Sequence, residues 1–344
     1  MKNIYYFFIL MIGIISCKSS SPNDSEGSKE LNIYTHRHYE ADQQIFDQFT
    51  ALTGIKVNVV SASADELLQK LELEGEGSPA DILITVDAGR LYRAQEKDLL
   101  QPVESEVLIK RIPENLRSPE NYWFGLTYRA RVFVFNKIKV KKSDMISYED
   151  LMDPKWKGKI ITRSSENIYN QSLLASIIAN NGKESAEMWA ASVLNNMARP
   201  PKGNDRDQIL AVASEEADVA IVNTYYLGIL LNDANPEIKE AAQRVGVFFP
   251  NQNDRGTHIN ISGAGVTKYA PNKENAIKFL EFMTDSYAQS ILSNVNFEYP
   301  VNADTEWSEL LTEWGKFKYD TLNLSLLGKF NSDAVIIFDK VGWK

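Results

Sequence analysis

Four tyrosines of this chain stand at one kind of place. Tyr39 comes just after Leu31 to His36, whose apolar–polar alternation reads as a half-buried strand, and just before a helical period that begins near Glu40. Tyr169 follows the short apolar run from Lys159 to Arg163 and opens a helix expected over Tyr169 to Asn180. Tyr225 and Tyr226 follow the strand expected over Asp218 to Thr224, with Thr224 as the expected N-cap. Each phenol is thus placed at the carboxyl end of a strand, beside a helix N-terminus, where open α/β sheets bind ligands. His36 and His38, two of the three histidines in the chain, share the turn that carries Tyr39.

An imidazole among several phenols is a donor set for a hard, highly charged cation. Ferric iron fits that description, because its field and the adjoining helix N-termini both favour phenolate over phenol, whose ordinary pKa is near 10. Calcium and magnesium prefer carboxylate and carbonyl oxygens, and zinc prefers cysteine, histidine and carboxylate. Tyr34, Tyr92 and Tyr148 are read differently, as amphipathic core residues. The Tyr225–Tyr226 doublet has its own logic: at a helix start, neighbours lie about 100° apart, so both hydroxyls can face one cleft.

The elements that must position these groups alternate strand with helix. Ile45, Phe49 and Leu52 are expected on one face of the first helix, which Thr53–Gly54 closes. A strand over Lys56 to Ser61, a helix over Ala64 to Glu74, a buried strand over Ala80 to Val86 and a helix over Asp87 to Leu100 follow. A longer β run, Tyr128 to Lys137, leads into a second block that restarts at Tyr148. That block has helices over Tyr169 to Asn180, Lys183 to Met197 and Asp205 to Ala217, a strand over Val245 to Phe249, and a long β segment over His258 to Lys268 with an irregularity expected at Gly263 and Gly265. Helices over Asn272 to Thr284, Tyr287 to Val295, Glu306 to Phe317 and Leu322 to Lys329 complete the chain. The fold class is α/β, with two lobes of doubly wound, mainly parallel sheet joined by crossover hinge strands around Phe133 and Ile261. Lobe 1 is expected over residues 31–130 plus 261–303, and lobe 2 over 131–260 plus 304–344.

Composition narrows the function. Hydrophobic residues make up 44% and charged residues 24%, as in globular proteins, and the net charge of −9 argues against nucleic acid as a partner. Residues 1–16 have the form of a secretory signal: Lys2, the apolar run Ile4 to Ile15, then Ser16–Cys17. Ile14–Ile15–Ser16–Cys17 resembles a bacterial lipobox, and Cys17 is the only cysteine in the chain, which leaves lipid attachment as its expected use. The alternative is a cleaved signal with an incidental cysteine. Residues 17–30 then form the lipidated cysteine and a flexible tether.

Longer stretches carry a family resemblance. IYTHRHYEAD (33–42), SPADILITVDAGRLYRAQEKDLLQPV (78–103), GLTYRARVFVFNK (125–137), YEDLMDPKWKGKI (148–160), IVNTYYLGIL (221–230) and ISGAGVTKYAPNKENAIKFLEFM (261–283) resemble periplasmic ferric-iron-binding proteins of bacterial ABC importers, of the type 2 periplasmic-binding-protein fold. RHY, the tyrosine of NIYNQS (167–172), and NTYY resemble the subgroup that holds iron with one histidine and four tyrosines. Carried over, that resemblance implies His38, Tyr39, Tyr169, Tyr225 and Tyr226 as ligands of transported Fe³⁺. It implies a non-enzymatic binding protein, a monomer, on the periplasmic or outer side of a bacterial membrane, that serves an ABC permease and its ATPase. Four phenolates and a neutral imidazole around Fe³⁺ sum to minus one, so nearby arginines are expected, with Arg37, Arg129, Arg131 and Arg206 as candidates. A bound anion is compatible with this set and not required by it. His36 and His258 are expected to be structural or to support the site from behind.

Three rival readings use the same residues: an importer protein for thiamine or a polyamine held in an aromatic cage, a metallohydrolase built on His36-x-His38, and a surface sensor that binds iron without importing it. The chain has no H-E-x-x-H and no G-x-S-x-G pattern, so the hydrolase has few histidines to work with. The anchor is tested separately from the cargo. Cys17→Ser should move a membrane-bound protein out of the detergent phase without altering its ligand binding, and unchanged partitioning would exclude lipidation.

Overall fold

The computed structural model describes residues 29–37 and 39–344. The signal segment, Cys17, the greater part of the tether and His38 therefore lie outside the described residues. The order of elements is β1 (Glu30–Thr35), α1 (Glu40–Thr53), β2 (Lys56–Ser61), α2 (Ala64–Glu74), β3 (Ile82–Val86), α3 (Ala88–Glu96), α4 (Glu106–Arg111) and β4 (Phe124–Asn136). Then come β5 (Ile160–Ile161), α5 (Ile168–Asn181), α6 (Lys183–Asn196), α7 (Asp205–Ala213), β6 (Val219–Asn223), α8 (Thr224–Leu231), α9 (Pro236–Gln243), β7 (Val245–Phe248) and β8 (Ile259–Val266). The chain ends with α10 (Lys273–Met283), α11 (Ser286–Val295), β9 (Tyr299–Pro300), α12 (Glu309–Trp314), α13 (Ser325–Lys329) and α14 (Asn331–Val341).

The sheet runs β2-β1-β3-β8-β4-β6-β5, with β7 and β9 also paired to β4. Strand–helix alternation gives parallel pairs between β1, β2 and β3, and β5 and β6, joined through three helices, are also parallel. The long strands β4 and β8 enter antiparallel to their neighbours. All thirteen residues of β4 are buried, and the strand changes partners along its length. Phe124 to Ala130 pair with β8, whereas Arg131 to Asn136 pair with β6 and β7. One continuous backbone therefore serves both blocks of the molecule. A strand covered on both faces must be apolar almost throughout, which makes the two arginines near its middle, Arg129 and Arg131, conspicuous.

Several local expectations need correction. The buried face of α1 is Ala41, Ile45, Phe46 and Phe49, while Leu52 is 65% exposed. Phe49 packs edge-on against Phe279 and close to Phe282, and the aromatic cover stops there, one turn short of Leu52. The expected Lys159–Arg163 strand shrinks to two residues because its neighbours turn at once toward the start of α5. Thr224 is not an N-cap: Asn223 holds that position, and Thr224 Oγ1 instead accepts from the backbone N–H of Ala130 at 3.3 Å. Helix α14 has no counterpart in the sequence reading.

The irregularity anticipated at Gly263 falls on the opposite strand, where the register of β4 shifts between Gly125 and Thr127. Gly263 is required for another reason. A Cβ there would stand 2.7 Å from both Leu91 Cδ1 and the carbonyl oxygen of Phe124, and backbone cannot retreat as a side-chain tip can. Gly263→Ala should therefore destabilise the protein by about 1–3 kcal/mol, seen as a lower urea midpoint at unchanged slope.

Candidate metal centre

The turn after β1 is pinned by Arg37. Its backbone N–H donates to Thr35 Oγ1 at 3.0 Å, and its guanidinium donates to both oxygens of Asp42, Nε at 3.1 Å and Nη2 at 2.7 Å. This bidentate grip ties the turn to the first turn of α1 and lays the guanidinium over the ring of Tyr39, 4.8 Å from its centroid. Tyr39 itself occupies the N-cap of α1 in an extended conformation. On the other side, Asn167 caps α5 by accepting from the N–H of Tyr169 at 3.0 Å, which orients that residue at the helix start. The rings of Tyr225 and Tyr226, at the start of α8, lie 4.1 Å apart.

These four tyrosines line one cavity of about 380 Å³, together with His36, Arg37, Arg206 and a rim that includes Asn204. The hydroxyls of Tyr169 and Tyr225 are 3.3 Å apart. Larger cavities, of about 720 and 670 Å³, lie elsewhere, one between β7 and α12 and one around Trp307, and neither is lined by a histidine. His38, the imidazole expected beside Tyr39, lies outside the described residues. His36 is placed at the cavity wall, its Nδ1 3.5 Å from Thr85 Oγ1 and its Nε2 3.4 Å from Arg90 Nη1.

The expected arginines divide by environment. Arg37, Arg129 and Arg131 are buried at 3%, 1% and 2% exposure, while Arg206 is exposed and stacks its guanidinium 5.9 Å from the Tyr226 centroid. Tyr169 has three guanidiniums around its ring: Arg129 and Arg163 at 5.5 Å and Arg131 at 6.0 Å. Sequence reasoning did not single out Arg163, nor the acids that hold the cluster together. Arg131 Nη1 donates to Asp205 Oδ2 at 2.5 Å, and Arg163 Nη1 lies 3.5 Å from the other oxygen of Asp205. Arg131 Nη2 also donates to Asn170 Oδ1 at 2.7 Å. Buried Glu298 lies 3.6 Å from Arg37 and 3.9 Å from Arg129, and accepts from Ser262 Oγ at 2.9 Å. No local pattern marks these acids, since each meets its arginine across the fold.

Burial dominates the electrostatics of the phenols. It raises the pKa of Tyr39, with the charge of Glu298 acting in the same direction, and raises that of Tyr225 further above the usual value. Tyr226 is raised in the same way, by burial first and by Tyr169 and Asp205 after it. The buried guanidinium of Arg129 is held more firmly charged than usual: burial opposes the charge, but Tyr169, Glu298, Tyr225 and Tyr39 together outweigh it. Burial thus keeps the phenols of Tyr39, Tyr225 and Tyr226 protonated beside a cluster of guanidiniums, and these protons can be given up to a strong Lewis acid.

Comparison with known proteins matches residues 77–321 to the bacterial extracellular solute-binding protein family. Iron uptake protein A1 of Synechocystis sp. is 49% identical over 98% of this chain and 96% of its own length. Among solved structures, a Trichodesmium protein (IdiA, FutA) in complex with iron and citrate ligands superposes with a TM-score of 0.89 at 53% identity, over 92% of this chain and all of that one. A ferric binding protein from Campylobacter jejuni gives 0.86 at 46% identity, over 91% of this chain. These superpositions bear out the two-lobed α/β architecture read from the strand–helix alternation.

His258 immediately precedes β8 and lies beside β4, its carbonyl oxygen accepting from the N–H of Arg131 at 2.9 Å. Its backbone N–H donates to Tyr148 Oη at 3.2 Å, and burial, with the charges of Arg131, Arg255 and Arg129, pushes its imidazole down to about 3 from 6.5. Below pH 6.5 the unfolded chain takes up a proton that the folded one refuses, so this residue's contribution is lost as pH falls toward 3. The iron-free protein should accordingly lose about 1.4 kcal/mol per pH unit more than His258→Gln does between pH 6 and pH 4. Chemical denaturation at several pH values checks this, and parallel profiles would contradict it.

Proposed function

From the premise that the chain belongs to the bacterial extracellular solute-binding protein family, we propose that it binds ferric iron in the tyrosine-lined cavity and hands it to an importer. The observation that carries this reading is the convergence of Tyr39, Tyr169, Tyr225 and Tyr226 on one cavity, with two hydroxyls already 3.3 Å apart. Oxygen donors that close and that numerous suit a hard trivalent ion. The fifth ligand is His38, adjacent in sequence to Tyr39. The relatives' names supply the cargo class: iron uptake for one, and iron with citrate ligands for another. The hydrolase alternative falls away with membership of a solute-binding family.

The surrounding charges support the trivalent state. Arg37 and Arg129 are balanced by Asp42 and Glu298, whereas Arg131 and Arg163 share the single carboxylate of Asp205. With Arg206 beside Tyr226, the phenols face an excess of positive charge, of the sign that the minus one of Fe³⁺ with four phenolates and a neutral imidazole calls for. The lobes carrying Tyr39 and Tyr169 close over the ion by hinge motion, and Cys17, when lipidated, tethers the protein beside its ABC permease and ATPase.

Proton counting tests the site. Because burial holds Tyr39, Tyr225 and Tyr226 protonated, ferric loading should expel at least about three protons and generate a visible phenolate-to-iron band. Tyr226→Phe should lower the release by about one and shift the band. Tyr34→Phe, whose phenol donates to Glu74 at 3.0 Å away from the cavity, should change neither. Colourless loading without proton release would assign the cavity to an organic cation instead.

A further inference from the structure

Asp87 binds both β8 and α5 through its carboxylate. It is fully buried between β3 and α3, with φ of 84°, a region that residues other than glycine seldom occupy. Such a conformation persists where the surroundings hold it in place, and here both carboxylate oxygens are committed. Oδ1 accepts from the N–H of Gly89 at 2.8 Å and so caps α3. Oδ2 accepts from Asn260 Nδ2 on β8 at 2.7 Å and from Ser172 Oγ on α5 at 2.7 Å. Asn260 is itself fixed, its Oδ1 accepting from the N–H of Ala88 at 2.9 Å.

Of these partners, Ser172 lies on α5, the helix that carries Tyr169. It follows Tyr169 by three residues on α5, so the two side chains share a helix face. Asp87 directly follows β3, which pairs with β1, the strand that leads to Tyr39. The Ser172–Asp87 bond therefore fixes α5 against the β3–α3 turn and, through them, Tyr169 against Tyr39. Helix α13 braces the same junction, with Gly328 seated on Tyr92 so closely that a Cβ would stand 2.5 Å from that side chain.

We propose that the Ser172–Asp87 hydrogen bond is an interlobe latch that sets how slowly the closed form opens. It rests on the iron-binding reading above and adds a positioning pair that touches no metal. The bond is made only when the two blocks meet, it ends on a buried carboxylate, and its loss leaves the donor set intact. Its effect falls on release and leaves capture and the identity of the bound ion unchanged.

Ser172→Ala tests this. The ferric-loaded variant should release iron to a competing chelator about tenfold faster than wild type, equivalent to about 1.4 kcal/mol, with its uptake rate and visible band unchanged. The iron-free variant should also show a larger radius of gyration in solution scattering. Unchanged release together with an unchanged radius overturns the latch. So does a lower melting temperature of the iron-free variant with unchanged release, which marks a packing role, and so does a shifted band, which marks an effect on the ligands. If wild type itself takes up no ferric iron, the transport reading fails instead, and the scattering comparison alone decides the latch.

Discussion

Three guanidinium groups are buried at the centre of this molecule, and a charge without water is tolerated only where it is paired. Arg37, Arg129 and Arg131 meet that condition with Asp42, Glu298 and Asp205, carboxylates drawn from an early helix, the loop before β9 and the start of α7. The pairing fixes more than charge. Arg37 holds the turn that presents Tyr39, and Arg131 reaches both Asp205 and Asn170, one residue past Tyr169. Tyr39, Tyr169 and Tyr226 each lie against a guanidinium of this cluster or its rim.

Strand β4 is the beam on which this arrangement hangs. Its buried residues pair with β8 up to Ala130 and with β6 and β7 beyond it, so Arg129 and Arg131 sit where one block gives way to the other. Tyr148 seals that point from below: its hydroxyl donates to the carbonyl oxygen of Arg131 and accepts from the N–H of His258, while Trp189 donates to the Tyr148 carbonyl oxygen at 2.7 Å. One continuous strand thus serves both blocks, its ladder interrupted at the register shift between Gly125 and Thr127.

The sequence by itself determined the local frame. Alternation and helical period placed β2 and α2 at their observed residues and put each of the four tyrosines at or next to a helix start, because side-chain periodicity is a property of neighbours a few residues apart. Of the three tyrosines read as core, Tyr34 and Tyr148 are buried, whereas Tyr92 is only half-buried. Tertiary structure alone decided what closes over that frame. Leu52 keeps the helical period of Ile45 and Phe49 yet faces water, because the cover from Phe279 and Phe282 ends first. Glu298, Asp205, Arg163 and the Ser172–Asp87 bond were silent in the sequence, for their partners lie up to 261 residues away. Which carboxylate meets which guanidinium follows from strand order and the packing of the two blocks, and a local pattern carries no record of either.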